Sequence, residues 1–263
     1  MSYDNYNKSF RRNKLTCRSF LEASHLFTPT SDQRYALGTE LELDDATGRK
    51  YRYCKNGAVV LTAAKVNQSA AGTANWQNQV QTNGSAWSIG DKTVTAVLTS
   101  TATKDQFADG YLTIEDGTGE GQMYLIKGNK AGTANATSGY DVEIELADEG
   151  GIRIATATTS EVSVTLNKHA STLVAAVNPT GTLVGVNPMA VTAAYFFWAQ
   201  VKGPAAVVVD DTDTIVVGDK VMTSESVAGT CALVVAAADD HTFGTVMRAA
   251  AVGETALIDL NIE

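Results

Sequence analysis

The residue types in this chain that could do chemistry are few and widely spaced. His241 follows Asp239 and Asp240, and Ser224 and Ser226 lie a short way upstream. A Ser-His-Asp triad needs such groups gathered beside an oxyanion hole, with the serine on a strained turn, and the chain contains no GxSxG. The sequence predicts an exposed turn there instead. His25, His169 and His241 lack any metal-ligand spacing such as HExxH. Asp210, Asp211 and Asp213 would bind calcium if one turn aimed three carboxylates at a point, but their spacing is not that of an EF-hand, and a solvated hairpin tip is expected. Gly117, Gly119 and Gly121 suggest a phosphate loop only superficially, because no GK[ST] follows and no amphipathic helix begins there. Cys17, Cys54 and Cys231 stand far apart with no CxxC, so free thiols are expected and neither a disulfide framework nor a zinc site. The expectation is a protein that is not an enzyme and uses neither cofactor nor metal.

The elements around these residues read as architecture. Tyr195 to Pro204, YFFWAQVKGP, is the densest ring cluster in a chain that is 7% aromatic. As a strand it would send Tyr195, Phe197 and Ala199 to one side and Phe196, Trp198 and Gln200 to the other, so both faces need cover. That cover is expected from the protein's own domain on one face and from a second layer or subunit on the other. Lys202-Gly203-Pro204 is expected to end the strand. Beyond it come VVVDDTDTIVVGDKVM, CALVV, FGTVM and ALIDLNI, all short strand-like runs.

Upstream, GTELELDD and KYRYCKNG alternate, and Asn56-Gly57 is a hairpin-type turn. AVVLTAAKV follows as a buried strand or short helix. Residues 68–90 are rich in Asn, Gln, Ser and Gly and read as a linker or long surface connection. DKTVTAVLTS, the hairpin YLTIE-DGTGEG-QMYLIKG, the strictly alternating DVEIELAD, then GIRIAT and EVSVTLN complete a second strand-rich region. The fold class that follows is all-β: short antiparallel strands forming two sandwich- or barrel-like lobes, with an extended N-terminal arm. The boundaries predicted are an arm over 1–34, a main domain over 35–75 and 169–263, and an inserted lobe over 76–168.

Charge separates the arm from the body. Residues 1–30 carry Lys8, Arg11, Arg12, Lys14 and Arg18 against Asp4 and Glu22, a net of +3, which leaves −12 on the rest of a chain of net −9. An acidic body argues against nucleic acid as a direct partner. In the arm, Tyr3, Tyr6, Phe10, Phe20 and Phe27 are interleaved with Arg11, Arg12 and Arg18, as expected of a segment that lays rings and guanidiniums on another surface. The N-terminus has no secretory pattern, and the most apolar span, 191–209, is broken by Gln200, Lys202, Gly203 and Pro204. A soluble protein with no membrane contact is expected.

The order DGYLTIEDGTGEGQMYLIKGN, EVSVTLNKH, VGVNPMAVTAAYFFWAQVKGPAAV, VGDKV and VAGT, preceded by LGTELELDDATGRKYRYCKNGAVVLTAAKV, resembles the head-decoration or capsid cement proteins of tailed bacteriophages. The resemblance covers roughly residues 37–230 and rests on order and texture. It implies a protein made in a host cytoplasm and carried on the capsid exterior of a virion, commonly a homotrimer bridging neighbouring major capsid proteins. It brings no catalytic residues. Tyr3, Tyr6, Phe10, Arg11, Arg12, Arg18, Phe20, Phe27, Tyr195, Phe196, Phe197 and Trp198 are the expected contacts to capsid or protomer, with residues 1–30 running along the capsid floor. Two rivals stand beside this reading. One is a receptor- or glycan-binding spike or fibre module, with Trp76 and Trp87 stacking on sugars. The other is a depolymerase, which would need a carboxylate pair across a groove.

Overall fold

The computed structural model describes residues 14–17 (backbone), 26–81, 84–210, 214–234 and 242–263. Among them there is no α-helix. The strands in chain order are β1 Lys14–Cys17, β2 Glu40–Leu43, β3 Lys50–Lys55, β4 Lys65–Ser69, β5 Gln79–Val80, β6 Thr93–Leu98, β7 Tyr111–Asp116, β8 Met123–Asn129 and β9 Thr133–Ala134. They continue with β10 Tyr140–Leu146, β11 Glu161–Thr165, β12 Thr172–Val174, β13 Leu183–Asn187, β14 Phe196–Val208, β15 Lys220–Thr223, β16 Cys231–Leu233, β17 Thr242–Arg248 and β18 Thr255–Asn261. The chain divides into a main unit, 1–71 with 168–263, and an inserted unit, 72–167.

The inserted unit is one antiparallel sheet in the order β5-β11-β7-β8-β10-β6, with β9 on β10. Alternation builds its core. Leu112 and Ile114, Tyr124 and Ile126, Val142, Ile144 and Leu146, and Val162 and Val164 all turn inward onto Phe107, Ile152 and Trp87. Residues 68–90, expected as a linker or long surface connection, are largely surface connection among the described residues, but a few of their side chains build the sheets. Gln68 is buried in β4, Trp87 lies in the core with its indole N–H donated to Thr95 O (3.1 Å), and Gln79 and Gln81 form a seam. Gln81 Oε1 accepts the Val97 N–H (2.9 Å) while its Nε2 donates to Val97 O (3.3 Å), and Gln79 Oε1 accepts the Thr99 N–H (3.0 Å). Two amide side chains thus do between the ends of the sheet what a backbone ladder does elsewhere. GIRIAT is likewise no strand: Ile152 is buried and Ile154 exposed on a loop.

The main unit follows the order β1-β2-β3-β14-β18-β17-β15-β16, with β13 bridging β14 and β4, and β12 on β4. Its ladders are antiparallel except β1 with β2. The far end curls back: Val209 bridges Cys231, and the Asp210 N–H donates to Cys231 O (2.8 Å). The turn encloses Val207, Ile215, Val221, Phe243, Val246, Ile258 and Leu260.

The strand that was expected to stop at Lys202-Gly203-Pro204 instead runs through it. β14 is 13 residues long, and Pro204 pairs with Asp259. Parity explains the tolerance. Val201 O accepts the Ile262 N–H, so odd residues face β18, while the Val208 N–H goes the other way, to Ala64 O. Pro204 shares the side of Val208, and pairing with β3 has already ended at Lys202–Lys50, so no ladder bond is lost. The bend is held by Gly203 at φ 78° and by buried Gln200, whose Nε2 lies 3.1, 3.2 and 2.9 Å from the carbonyls of Lys202, Gly203 and Pro204.

Asn56-Gly57 is no hairpin either. The Asn56 amide is buried and donates to Val59 O (2.8 Å), Val191 O (3.1 Å) and Thr192 O (3.0 Å), tying two loops together. Residues 58–64, expected as the start of a strand or helix, form the first of these loops, with Val59 and Val60 exposed and β4 beginning only at Lys65.

Candidate contact surfaces

The ring cluster of β14 is satisfied within one chain. On one face, Phe196 stacks on Tyr53 (centroids 5.8 Å, interplanar 9°), and Trp198 meets Tyr53 at 5.0 Å and Tyr35 at 5.4 Å. Leu26, Leu41, Leu43 and Tyr51 complete that cluster, and the Lys55 ammonium sits 5.4 Å from the Phe196 centroid. On the other face, Phe197 and Ala199 pack with Cys54, Leu61, Val184 and Val191, with half-buried Tyr195 against them. Phe196, Phe197 and Trp198 are 7%, 3% and 3% exposed. Of the two kinds of cover expected for this strand, a second layer or a second subunit, the layer is present: β3, β13 and the loops around them cover Phe196, Phe197 and Trp198 within one chain, and of the four expected contact residues only Tyr195 stays half-buried.

The segment before β2 belongs partly to the body. Thr30 exchanges both backbone hydrogen bonds with Phe196 (3.0 and 2.8 Å), Leu26 is buried in the ring cluster, and the Arg34 N–H donates to Tyr53 Oη (3.0 Å). The arm expected over 1–34 is therefore tied to the main unit at two places, by the pairing of Lys14–Cys17 with β2 and by the contacts of Leu26, Thr30 and Arg34. Phe27 is half-exposed. Tyr3, Tyr6, Phe10, Arg11, Arg12, Arg18 and Phe20 lie outside the described residues.

Among the described residues, two groups with chemical potential are held in unreactive states. Cys54 Sγ and His169 Nδ1 lie 3.4 Å apart, both buried. Burial pushes the thiol up to about 12 and the imidazole down to about 3, so both are neutral at pH 7. A nucleophilic pair requires a thiolate beside an imidazolium, the opposite state. Nearby, Glu263 accepts from Arg52 Nε and Lys168 Nζ, each at 2.6 Å. Burial works to raise its carboxyl, but those two hydrogen bonds outweigh it and hold the group below the ordinary value.

Asp210 was expected on a solvated tip. It is buried and accepts from Ser224 Oγ, which itself accepts the N–H groups of Ser226 (2.9 Å) and Val227 (2.8 Å). Asp211, Asp213, Asp239, Asp240, His25 and His241 lie outside the described residues. Gly117, Gly119 and Gly121, all at positive φ, form the β7–β8 turn. Among the described residues no three metal-ligating side chains converge, and no helix is long and apolar enough to cross a membrane.

What remains is surface. In the inserted unit, Tyr111 sits opposite Leu125 and Thr113 opposite Met123, so Tyr111, Leu125 and Met123 share the outward face of the hairpin at 38%, 39% and 59% exposure. These residues were not singled out from sequence, yet a signal was there: Met123 to Ile126 are four apolar residues in a row, in a strand whose neighbours alternate. In the main unit, Val216, Val217, Met247 and Val252 are exposed, and an open cleft of about 580 Å³ is lined by Lys168, Pro179, Thr180, Leu183, Phe243 and Ile262, among others. The tryptophans proposed to stack on sugars are not free platforms, because Trp87 is core and Trp76 is partly buried, edge-on to Phe107 at 5.0 Å. No family model, no curated protein and no solved structure matches the chain.

Proposed function

We propose that this chain is a structural virion protein, a decoration or cement protein that binds the outside of a tailed-phage head and stabilises contacts between major capsid proteins. The observation that carries the reading is where the apolar surface lies. The rings of β14 at Phe196, Phe197 and Trp198 are consumed inside the body, while Tyr111, Met123 and Leu125 face outward from a hairpin whose β7 is paired to β8 on one side and β11 on the other. Side chains held that way offer contact area at little entropic cost, as a protein working through many modest contacts requires. The texture of residues 37–230 supports the same class. The self-partner is a homotrimer, and the leading residues serve as capsid or protomer contacts.

The test is cosedimentation of the purified full-length chain with phage heads stripped of their decoration protein, alongside its mass in solution. Saturable binding at a fixed stoichiometry, and heads that resist a higher rupture temperature, are expected. A monomer that leaves such heads unlabelled at micromolar excess would overturn the proposal.

A further inference from the structure

Among the described residues the outward face of the β7–β8 hairpin is left exposed, and charge restricts what can cover it. Residues 72–167 hold twelve acidic side chains against five basic ones, a net of −7. Glu115 and Asp116 are exposed at the end of β7, and Lys127, the basic residue beside the patch, is paired with Glu145. Two copies meeting through this same face would bring like charge together, which costs several-fold to many-fold in affinity. The face fits a segment that is apolar and cationic. This chain carries one: residues 1–13 set Tyr3, Tyr6 and Phe10 among Lys8, Arg11 and Arg12. Ring against thioether and guanidinium against Tyr111 are both favourable pairings. Thirteen extended residues reach up to about 45 Å from the point where β1 begins.

We propose that residues 1–13 of one copy dock on the Tyr111–Met123–Leu125 face of a second copy. The inference deepens the decoration reading, on which it rests for copies lying side by side, by naming the contact that joins them. It is tested without heads. A photo-crosslinking phenylalanine analogue is placed at Tyr6 in the full-length chain, isotopically light and heavy chains are mixed and irradiated, and cross-linked peptides are identified by mass. Light-to-heavy links from position 6 into 111–125 are expected. Met123→Glu with Leu125→Glu, both outward-facing and so expected to keep the melting temperature, should cut their yield at least about tenfold. Links confined to one chain, links to the Val216–Met247 surface, no links at all, or a yield indifferent to the two glutamates would each overturn the docking. A chain that still cosediments with heads after such a result would leave the decoration proposal standing.

Discussion

The main and inserted units both curl antiparallel sheets around a core, but they handle the second face of the sheet differently. In the inserted unit one face is packed and the other is wet, so alternation is clean and carboxylates such as Glu115 and Glu145 point outward. In the main unit the first half of β14, Phe196 to Val201, is covered on both faces, by the Tyr53–Trp198 cluster on one and the Cys54–Phe197 cluster on the other. Rings in a doubly covered strand are internal packing. Rings and thioethers on the wet face of a one-sided strand are the anomaly, and it is there that contact with other molecules should be sought.

The comparison breaks most visibly at Trp198. Trp198→Ala should cost about 3–5 kcal/mol of stability by denaturant titration, whereas Leu125→Ala should stay within about 0.5 kcal/mol. If Trp198→Ala instead left stability unchanged and dissolved an oligomer, the ring cluster would be an interface after all, and the contrast between the units would fail.

The next effect comes from His169, buried beside Cys54. Its folded-state value of about 3 lies below the 6.5 of a free imidazole, first through burial, then through Lys168 and Arg52, with Glu263 opposing. The unfolded chain therefore binds the extra proton. Stability is full above about pH 6.5 and falls as pH drops toward 3, by up to about 1.4 kcal/mol per pH unit. Glu263, whose ordinary value is 4.5, loses its contribution only lower down. His169→Gln should therefore flatten the slope between pH 6.5 and 5 and leave the more acidic limb, as unfolding measured across pH would show. An unchanged slope would mean that the imidazole is not the buried neutral group described. The inserted unit, which contains no histidine, should show no such limb.

Third in size is the glutamine seam. Gln81→Leu leaves the Val97 N–H and C=O without their partner, so a loss of about 1–3 kcal/mol is expected. It should be confined to the inserted unit, with faster amide exchange at Val97. A main unit that loosened equally would show that the two units do not unfold independently.

Regular pairing was legible in the sequence, and its substitutes were not. DVEIELAD announces itself because each inward residue is apolar and each neighbour polar, and YLTIE and QMYLIKG do so through the glycine-rich turn that joins them. Gln79 and Gln81 read as linker, because an amide that replaces a ladder bond carries no periodic signature. Pro204 read as a terminator because the sequence does not say which way its nitrogen faces. Asn56-Gly57 read as a hairpin because turn statistics know nothing of three carbonyls converging on one side-chain amide. The ring cluster at 195–198 was legible as architecture, but alternation alone could not tell a second layer from a second subunit. The outward trio was hidden because an unbroken apolar run looks like a buried strand until its register with β7 is known.

The smallest predicted effect tests whether charge, as well as packing, holds the main unit together. Glu263 receives Arg52 from β3 and Lys168 from the point where the chain re-enters the unit, with its side chain one quarter exposed. Such pairs contribute about 0.2–1 kcal/mol once side-chain entropy and screening are counted. Glu263→Gln should therefore lower stability by less than about 1 kcal/mol, and the wild-type advantage should shrink further in high salt. Reversible unfolding at low and high ionic strength measures both. A cost exceeding that of Gln81→Leu would mean that a carboxylate bridging two cations fastens the main unit more firmly than the amide seam fastens the inserted one. Polar closure, not the doubly covered strand, would then distinguish the two.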